Sequence, residues 1–344
     1  MACIDYTKCP KPSTSPLNTG IIVGACVLAV LFLVVYYLCY RSRIVVRSKE
    51  QLKACTGTLE LEENSSSDEQ PPTYSPPRFF RTSELKDAAM GLNRIGRGSY
   101  GFVCRMCLPD GRIVAVKRAS AATIFNTGRV AFETNLRVLS QARDRNIVNL
   151  LGYCLEFGQR LLVYEYMSHG SLYNHLHIER SHLDWELRMR MALQAAKGLD
   201  YLHRKCEIPI VHGNVKSSNI LLDADWRAKV ADFGLINSSD KKSDVFNFGI
   251  ILLEIISRRK AFDTDYTPPS INEWAIPLIR KGDGVAVIDQ DGILLPKNLQ
   301  PILQFIHVAN LALTDDPNNR PEMSEVVSLL AQIVKDQVQS IVSM

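Results

Sequence analysis

The chain is predicted to fold as an α+β domain of two lobes, a small β-rich lobe followed by a larger helical one, behind a single membrane-crossing helix. Three observations predict it. From about residue 90 the chain reads as strands: a glycine-rich turn, the alternating run FVCRMC, a DGR turn and the β-branched run IVAVK. Further on, apolar residues recur at helical spacing, first at Leu187, Met191, Ala195, Leu199 and Leu202, then at Val327, Leu330, Val334, Val338 and Ile341. Upstream, residues 21–40, IIVGACVLAVLFLVVYYLCY, hold no charge, and twenty such positions span roughly 30 Å of hydrocarbon as a helix.

The membrane helix orders what flanks it. A core helix rarely runs apolar on every face and then meets a basic cluster, and an ordinary signal peptide has a shorter apolar run and a cleavage site after it. Arg41, Arg43, Arg47 and Lys49 follow the helix, against Lys8 and Lys11 before it, so the C-terminal side is expected in the cytosol and the N-terminus outside the plasma membrane. Residues 1–20 form the outer tail, which carries Pro10, Pro12 and Pro16 and is too short to bury a core. Residues 41–78 read as a basic juxtamembrane stretch and a tether, because LEENSSSDEQPPTYSPPR has too little apolar surface to offset the entropy of ordering. The folded domain is expected over 79–344, opening on a short amphipathic helix at SELKDAAMGL, with the smaller lobe over about 90–166 and the larger over about 167–340.

Composition narrows the classes. The 46% hydrophobic content of 344 residues is enough for a sizeable core, and a formal charge of +4 with scattered basic residues gives no case for nucleic-acid binding. Nine cysteines in a chain whose bulk is cytosolic do not imply a disulfide framework. Cys104 and Cys107 have CxxC spacing, but no second pair follows, so ordinary strand packing is the reading.

The chemistry-bearing motifs follow in order. IGRGSYGFV, residues 95–103, places Gly96, Gly98 and Gly101 so that backbone can fold closely over phosphate groups. Lys117 ends the strand VAVK, where its ammonium would reach those phosphates. LLVYEYM, 161–167, is a buried strand running into a connection, with helical GSLYNHLH after it. Then come His212-Gly213-Asn214, Asn219, and the stretch ADFG, whose Asp232 can ligate a divalent cation together with Asn219.

In this order the motifs resemble those of protein kinases. The phrases NIVNLLGYC, LLVYEYMSHGSLYNHLH, VKSSNILLDADWRAKVADFGL and KSDVFNFGIILLEIISRRKAFD are similar to the crinkly-type group of plant receptor-like Ser/Thr kinases, over roughly residues 90–335. The resemblance implies a two-lobed protein-kinase fold that uses ATP with Mg²⁺ or Mn²⁺. It implies a nucleotide site of Ile95, Gly96, Gly98, Gly101, Val103, Ala115, Lys117 and the Glu165 and Met167 backbones, with Tyr164 behind it. Asn219 and Asp232 would hold the metal, and Lys216 would stand on the catalytic loop.

Three departures fall on the catalytic machinery. Asn214 stands where the family has the Asp that accepts the substrate proton, and loss of such a base costs about 10² to 10⁴ in rate. In AFETNLRVLS, Asn135 stands where the family has the glutamate that pairs with the strand lysine. Glu133 is two residues away, about 200 degrees around a helix, and is expected to face away from Lys117. Between Gly234 and Ser243 lie only the eight residues LINSSDKK, where the family has an activation segment. Gly213 and Arg320 are thereby expected to lack the phosphate and the glutamate that the family's residues meet there. Asp244 is expected to bond the catalytic-loop backbone across the shortened link. The expected function is a membrane-anchored, nucleotide-binding pseudokinase that docks another receptor kinase or a cytosolic signalling protein. The alternative is an impaired but active Ser/Thr kinase.

Overall fold

A computed structural model describes residues 76–98, 100–179, 183–234, 240–289 and 298–342, all of them in one compact unit, Glu63–Met344. The expected outer tail, membrane helix and most of the tether lie outside the described residues, as do 235–239 of the short link. Among the described residues no helix is long and apolar enough to cross a membrane.

Alternating residues build the small lobe. β1 (Arg78–Phe79), β2 (Arg94–Arg97), β3 (Gly101–Cys107), β4 (Ile113–Ala119), β5 (Leu150–Cys154) and β6 (Leu161–Glu165) form one sheet in the order β1-β5-β6-β4-β3-β2. β3 and β4 pair antiparallel with Val103 opposite Lys117 and Arg105 opposite Ala115. Cys104, Met106, Val114 and Val116 then share the face that buries against Phe80, Leu85 and Ala88 around the short helix α1 (Lys86–Ala89). Val103, Ala115 and Lys117 fall on the opposite face, towards the larger lobe.

The sheet begins earlier than the strand pattern indicates. β1 runs parallel to β5, with Arg78 opposite Gly152. A Cβ at Gly152 would collide with the Arg78 carbonyl and the Phe80 ring, so this pairing depends on glycine.

Two helices connect the early strands. Ser120 caps α2 (Ala121–Asn126), accepting from the Thr123 N–H at 3.1 Å. In α3 (Arg129–Gln141), Phe132, Leu136 and Leu139 recur at three- and four-residue spacing and enter the main core.

The large lobe is built on α4 (Trp185–Asp200), α5 (Lys241–Ser257), α6 (Ile271–Arg280), α7 (Gln300–Ala312) and α8 (Met323–Val342). Asp184 and Asp240 cap α4 and α5, accepting from Leu187 N–H and Lys242 N–H. α5 buries Val245, Phe248, Ile251, Leu252, Leu253, Ile255 and Ile256, residues that cover more than half of its circumference, so it is the central post of the lobe. A side chain at Gly198 of α4 would strike the Asn146 carbonyl and Val230, which is how closely the helix approaches the hairpin of β7 (Ile220–Leu222) and β8 (Ala228–Val230). That close approach sets the hairpin, and with it the loops on either side, against the helical core.

Candidate functional site

Lys117 and Asp232 are brought together from 115 residues apart. Lys117 Nζ donates to Asp232 Oδ1 at 2.7 Å; the lysine is 4% exposed, while the aspartate side chain is about one third exposed. Asp232 has φ +65, a left-handed conformation that Asp tolerates better than most residues. The Lys117 ammonium also lies 5.2 Å from the centre of the Tyr100 ring.

The loop below this pair is held by backbone bonds and one carboxylate. Asn219 Nδ2 donates to the Asn214 carbonyl at 2.9 Å, and Ala231 N–H donates to the Asn219 carbonyl at 2.8 Å, so Asn214, Asn219 and Asp232 share one frame. Asp244, fully buried in the first turn of α5, accepts from His212 N–H at 2.7 Å, Gly213 N–H at 2.9 Å and His203 Nε2 at 2.8 Å. Lys216 is exposed and borders a cavity of about 280 Å³ shared with Tyr173, Ile250, Glu254 and Phe262. That cavity lies away from the Lys117–Asp232 pair, and the chemistry of the site follows the pair rather than the cavity.

His212 makes the loop sensitive to acid. Its Nδ1 accepts from Asn214 N–H at 3.2 Å and its Nε2–H donates to the Ala231 carbonyl at 2.9 Å, which only the neutral ring can do. Burial pushes its pKa below the ordinary value, although Asp244 pulls the other way. Between the lowered folded value and about 6.5 the unfolded chain therefore binds more protons, and stability is lost as pH falls through that window. The thermal midpoint of the full chain is expected to drop on acidification below pH 6.5, with a shallower drop in His212→Gln. Parallel curves for the two proteins would remove His212 as the cause.

At the nucleotide side, Ile95 is 52% exposed and Val103 and Ala115 are partly buried beneath the glycine loop. Gly98 N–H donates to the Gly101 carbonyl at 2.8 Å, closing the turn. A Cβ at Gly98 would meet nothing, whereas one at Gly101 would collide with the Arg118 carbonyl, so Gly101 is needed for strand contact and Gly98 keeps the loop open above. Gly96 has comparable freedom. Met167, Val148 and Ala231 form a small apolar cluster against Tyr164 and Leu221. Glu165 N–H donates to the Asn149 carbonyl, while its carboxylate accepts from Asn149 Nδ2 and pairs with Lys229 at 2.7 Å. Burial raises the Tyr164 phenol well above its ordinary range, with the Asp232 charge adding to it.

The helix that should supply an acid does not do so. Glu133 on α3 pairs with Arg129 at 2.9 Å, both side chains well exposed, and Asn135 is partly buried. Arg320 donates to the Thr314, Lys242 and Asp315 carbonyls and stacks 4.8 Å over Phe246, with no carboxylate partner among the described residues. Lys242 ties the same region by pairing with Glu322 at 2.7 Å. Tyr100, the Asn149–Glu165–Lys229 group and the His212 tautomer were not apparent as site features in the sequence. Only Tyr100 carried a signal, as the aromatic residue at the tip of a glycine loop.

Comparison with known proteins agrees with this architecture. The family of protein tyrosine and serine/threonine kinases matches residues 90–242. The serine/threonine-protein kinase-like protein CCR2 of Arabidopsis thaliana is 52% identical over 268 residues, 75% of this chain and 34% of that protein. A probable LRR receptor-like serine/threonine-protein kinase of Arabidopsis thaliana is 38% identical over 75% of this chain and 31% of its own length. The chain thus spans about a third of these two relatives. The solved pseudokinase domain of BIR2, an immune regulator of the RLK/Pelle family, superposes with a TM-score of 0.63 at 29% identity, over 74% of this chain and 85% of that one. A glycine loop, a strand lysine and a DFG aspartate in one cleft, on this two-lobed fold, define a protein-kinase domain. Residues 90–242 match that kinase family, and the domain is similar to those of receptor-like Ser/Thr kinases.

Proposed function

We propose that the chain is a membrane-anchored receptor-like pseudokinase that binds ATP with a divalent cation and signals by docking another receptor kinase or a cytosolic signalling protein. The observation that carries the reading is the Lys117–Asp232 ion pair: the lysine meets the metal-binding carboxylate directly, while α3 offers Asn135 and the catalytic loop offers Asn214. An amide at the base position cannot accept the hydroxyl proton of a substrate.

The residues present fit ATP and Mg²⁺. The partly exposed Asp232 carboxylate and the Asn219 side-chain oxygen are hard donors suited to the cation, and Lys117 supplies a positive charge for phosphate. When bound, the nucleotide brings a transferable γ-phosphoryl group. This chain's own residues then orient it, but Asn214 withdraws no proton and the link after Gly234 is too short to carry the family's peptide platform. The apolar, basic-flanked stretch 21–40 supports the membrane anchor and a plasma-membrane location.

Retention of Lys117, Asn219 and Asp232 in one frame favours a second reading, an impaired kinase working by positioning alone. Phosphate transfer from γ-labelled ATP, with Mg²⁺ or Mn²⁺, to the full chain and to a generic acceptor separates the two. The expected result is label no higher than in Lys117→Met, together with nucleotide binding that Lys117→Met weakens. Transfer above that control establishes the second reading.

A further inference from the structure

The aromatic residue at the tip of the glycine loop lies inside the domain. Tyr100 is 9% exposed and belongs to the main core, packed with Ala119, Phe132, Leu136 and Leu139. Its ring lies 5.2 Å from the Lys117 ammonium and belongs to the core that the apolar residues of α3 also enter.

Two bonds pin the loop there. The Tyr100 carbonyl accepts from Ser120 N–H at 2.9 Å and Thr123 Oγ1 at 2.7 Å, at the capped start of α2. The phenol hydroxyl is buried without a hydrogen-bond partner among the described residues. Such a group costs free energy to bury, so this placement favours the closed cleft only through ring packing and the lysine contact.

We propose that Tyr100 is a gate on the nucleotide site: inserted, it holds Lys117 against Asp232 and keeps phosphate from both; withdrawn, it frees the pair for ATP and Mg²⁺. This rests on the nucleotide-binding reading above. Asn135, at the position where a helix glutamate would pair with the lysine, is uncharged and cannot hold it, so the ring contact is not in competition with an acid there. Nucleotide binding must therefore displace the tyrosine, and the apparent affinity is reduced by the fraction of molecules in which the cleft is open.

The test uses the full chain and three variants, Tyr100→Phe, Tyr100→Ala and Lys117→Met, with a fluorescent ATP analogue and Mg²⁺, alongside thermal unfolding. Tyr100→Phe is expected to raise the unfolding midpoint by about 2 to 4 °C, because it removes the unpartnered hydroxyl and keeps the ring. Tyr100→Ala is expected to bind the analogue at least about tenfold more tightly than the unchanged chain, and Lys117→Met to bind it weakly. Equal binding by the unchanged chain and Tyr100→Ala overturns the gate while leaving the nucleotide reading intact. Absence of binding in every protein, with a raised Tyr100→Phe midpoint, places the ring inside yet overturns the nucleotide reading and the gate with it. An unmoved Tyr100→Phe midpoint overturns the buried placement.

Discussion

Asp244→Ala is expected to destabilise the full chain by about 3 to 5 kcal/mol, read as a lowered thermal or denaturant midpoint. The carboxylate is the common acceptor for His203 Nε2 and the His212 and Gly213 amides, and all three donors lie in or beside buried backbone. Removing it leaves these donors without their shared partner, and buried amides cannot turn to water instead. Asp244→Asn keeps one acceptor oxygen and is expected to lie between the two. A near-normal Asp244→Ala protein would mean that the loop is held by something other than α5. Because His212 and Asn214 sit on this loop, the same variant is expected to weaken whatever nucleotide binding the chain shows.

The second large effect is expected at Arg188, a fully buried guanidinium in α4. It donates to the Leu183 carbonyl at 2.9 Å, the Ile255 carbonyl at 2.8 Å and the Asp289 carboxylate at 2.9 Å. Burial lowers its pKa, against the pull of Asp289, which marks how much the charge depends on these acceptors. Arg188→Ala is expected to cost about 3 kcal/mol or more, since two buried carbonyls and the Asp289 carboxylate, which Arg258 also approaches, lose a donor and a cavity opens beneath Trp185, over which the guanidinium lies at 4.8 Å. Arg188→Lys is expected to recover little, because a single ammonium cannot serve the three acceptors in the arginine's fork geometry. If the lysine variant unfolds at the same midpoint as the unchanged chain, geometry is not what holds this triad.

The larger elements were legible because their periods are long. FVCRMC and IVAVK alternate into β3 and β4, and Met191, Ala195 and Leu199 became part of the buried face of α4, with Leu187 partly buried against it. β1 was not legible: two residues carry no period, and its pairing is parallel with a strand more than seventy positions later. The helix expected at SELKDAAMGL shortens to the four residues of α1, since the flanking turns take their bonds from local carbonyls. Arg188 reads in sequence as an ordinary polar position on an amphipathic helix; only the approach of Asp289, 101 residues on, makes its burial possible.

Motifs located Lys117, Asn219 and Asp232, because the chemistry of phosphate and metal binding restricts residue type and order. Motifs do not carry distances. That Lys117 reaches Asp232 directly, and that Tyr100 turns inward beside it, depends on how the loop and α3 pack, which no local spacing encodes. The neutral tautomer of His212 is likewise a tertiary fact, set by one amide donor and one carbonyl acceptor.

The start of α5 acts as an abutment with fixed footings on two sides. Asp244 grips the loop that precedes the link, while Lys242 and Arg320 lock the same end of the helix to the turn before α8. The catalytic loop and α5 are therefore tied to each other directly, by bonds that do not pass through the residues between Gly234 and Asp240.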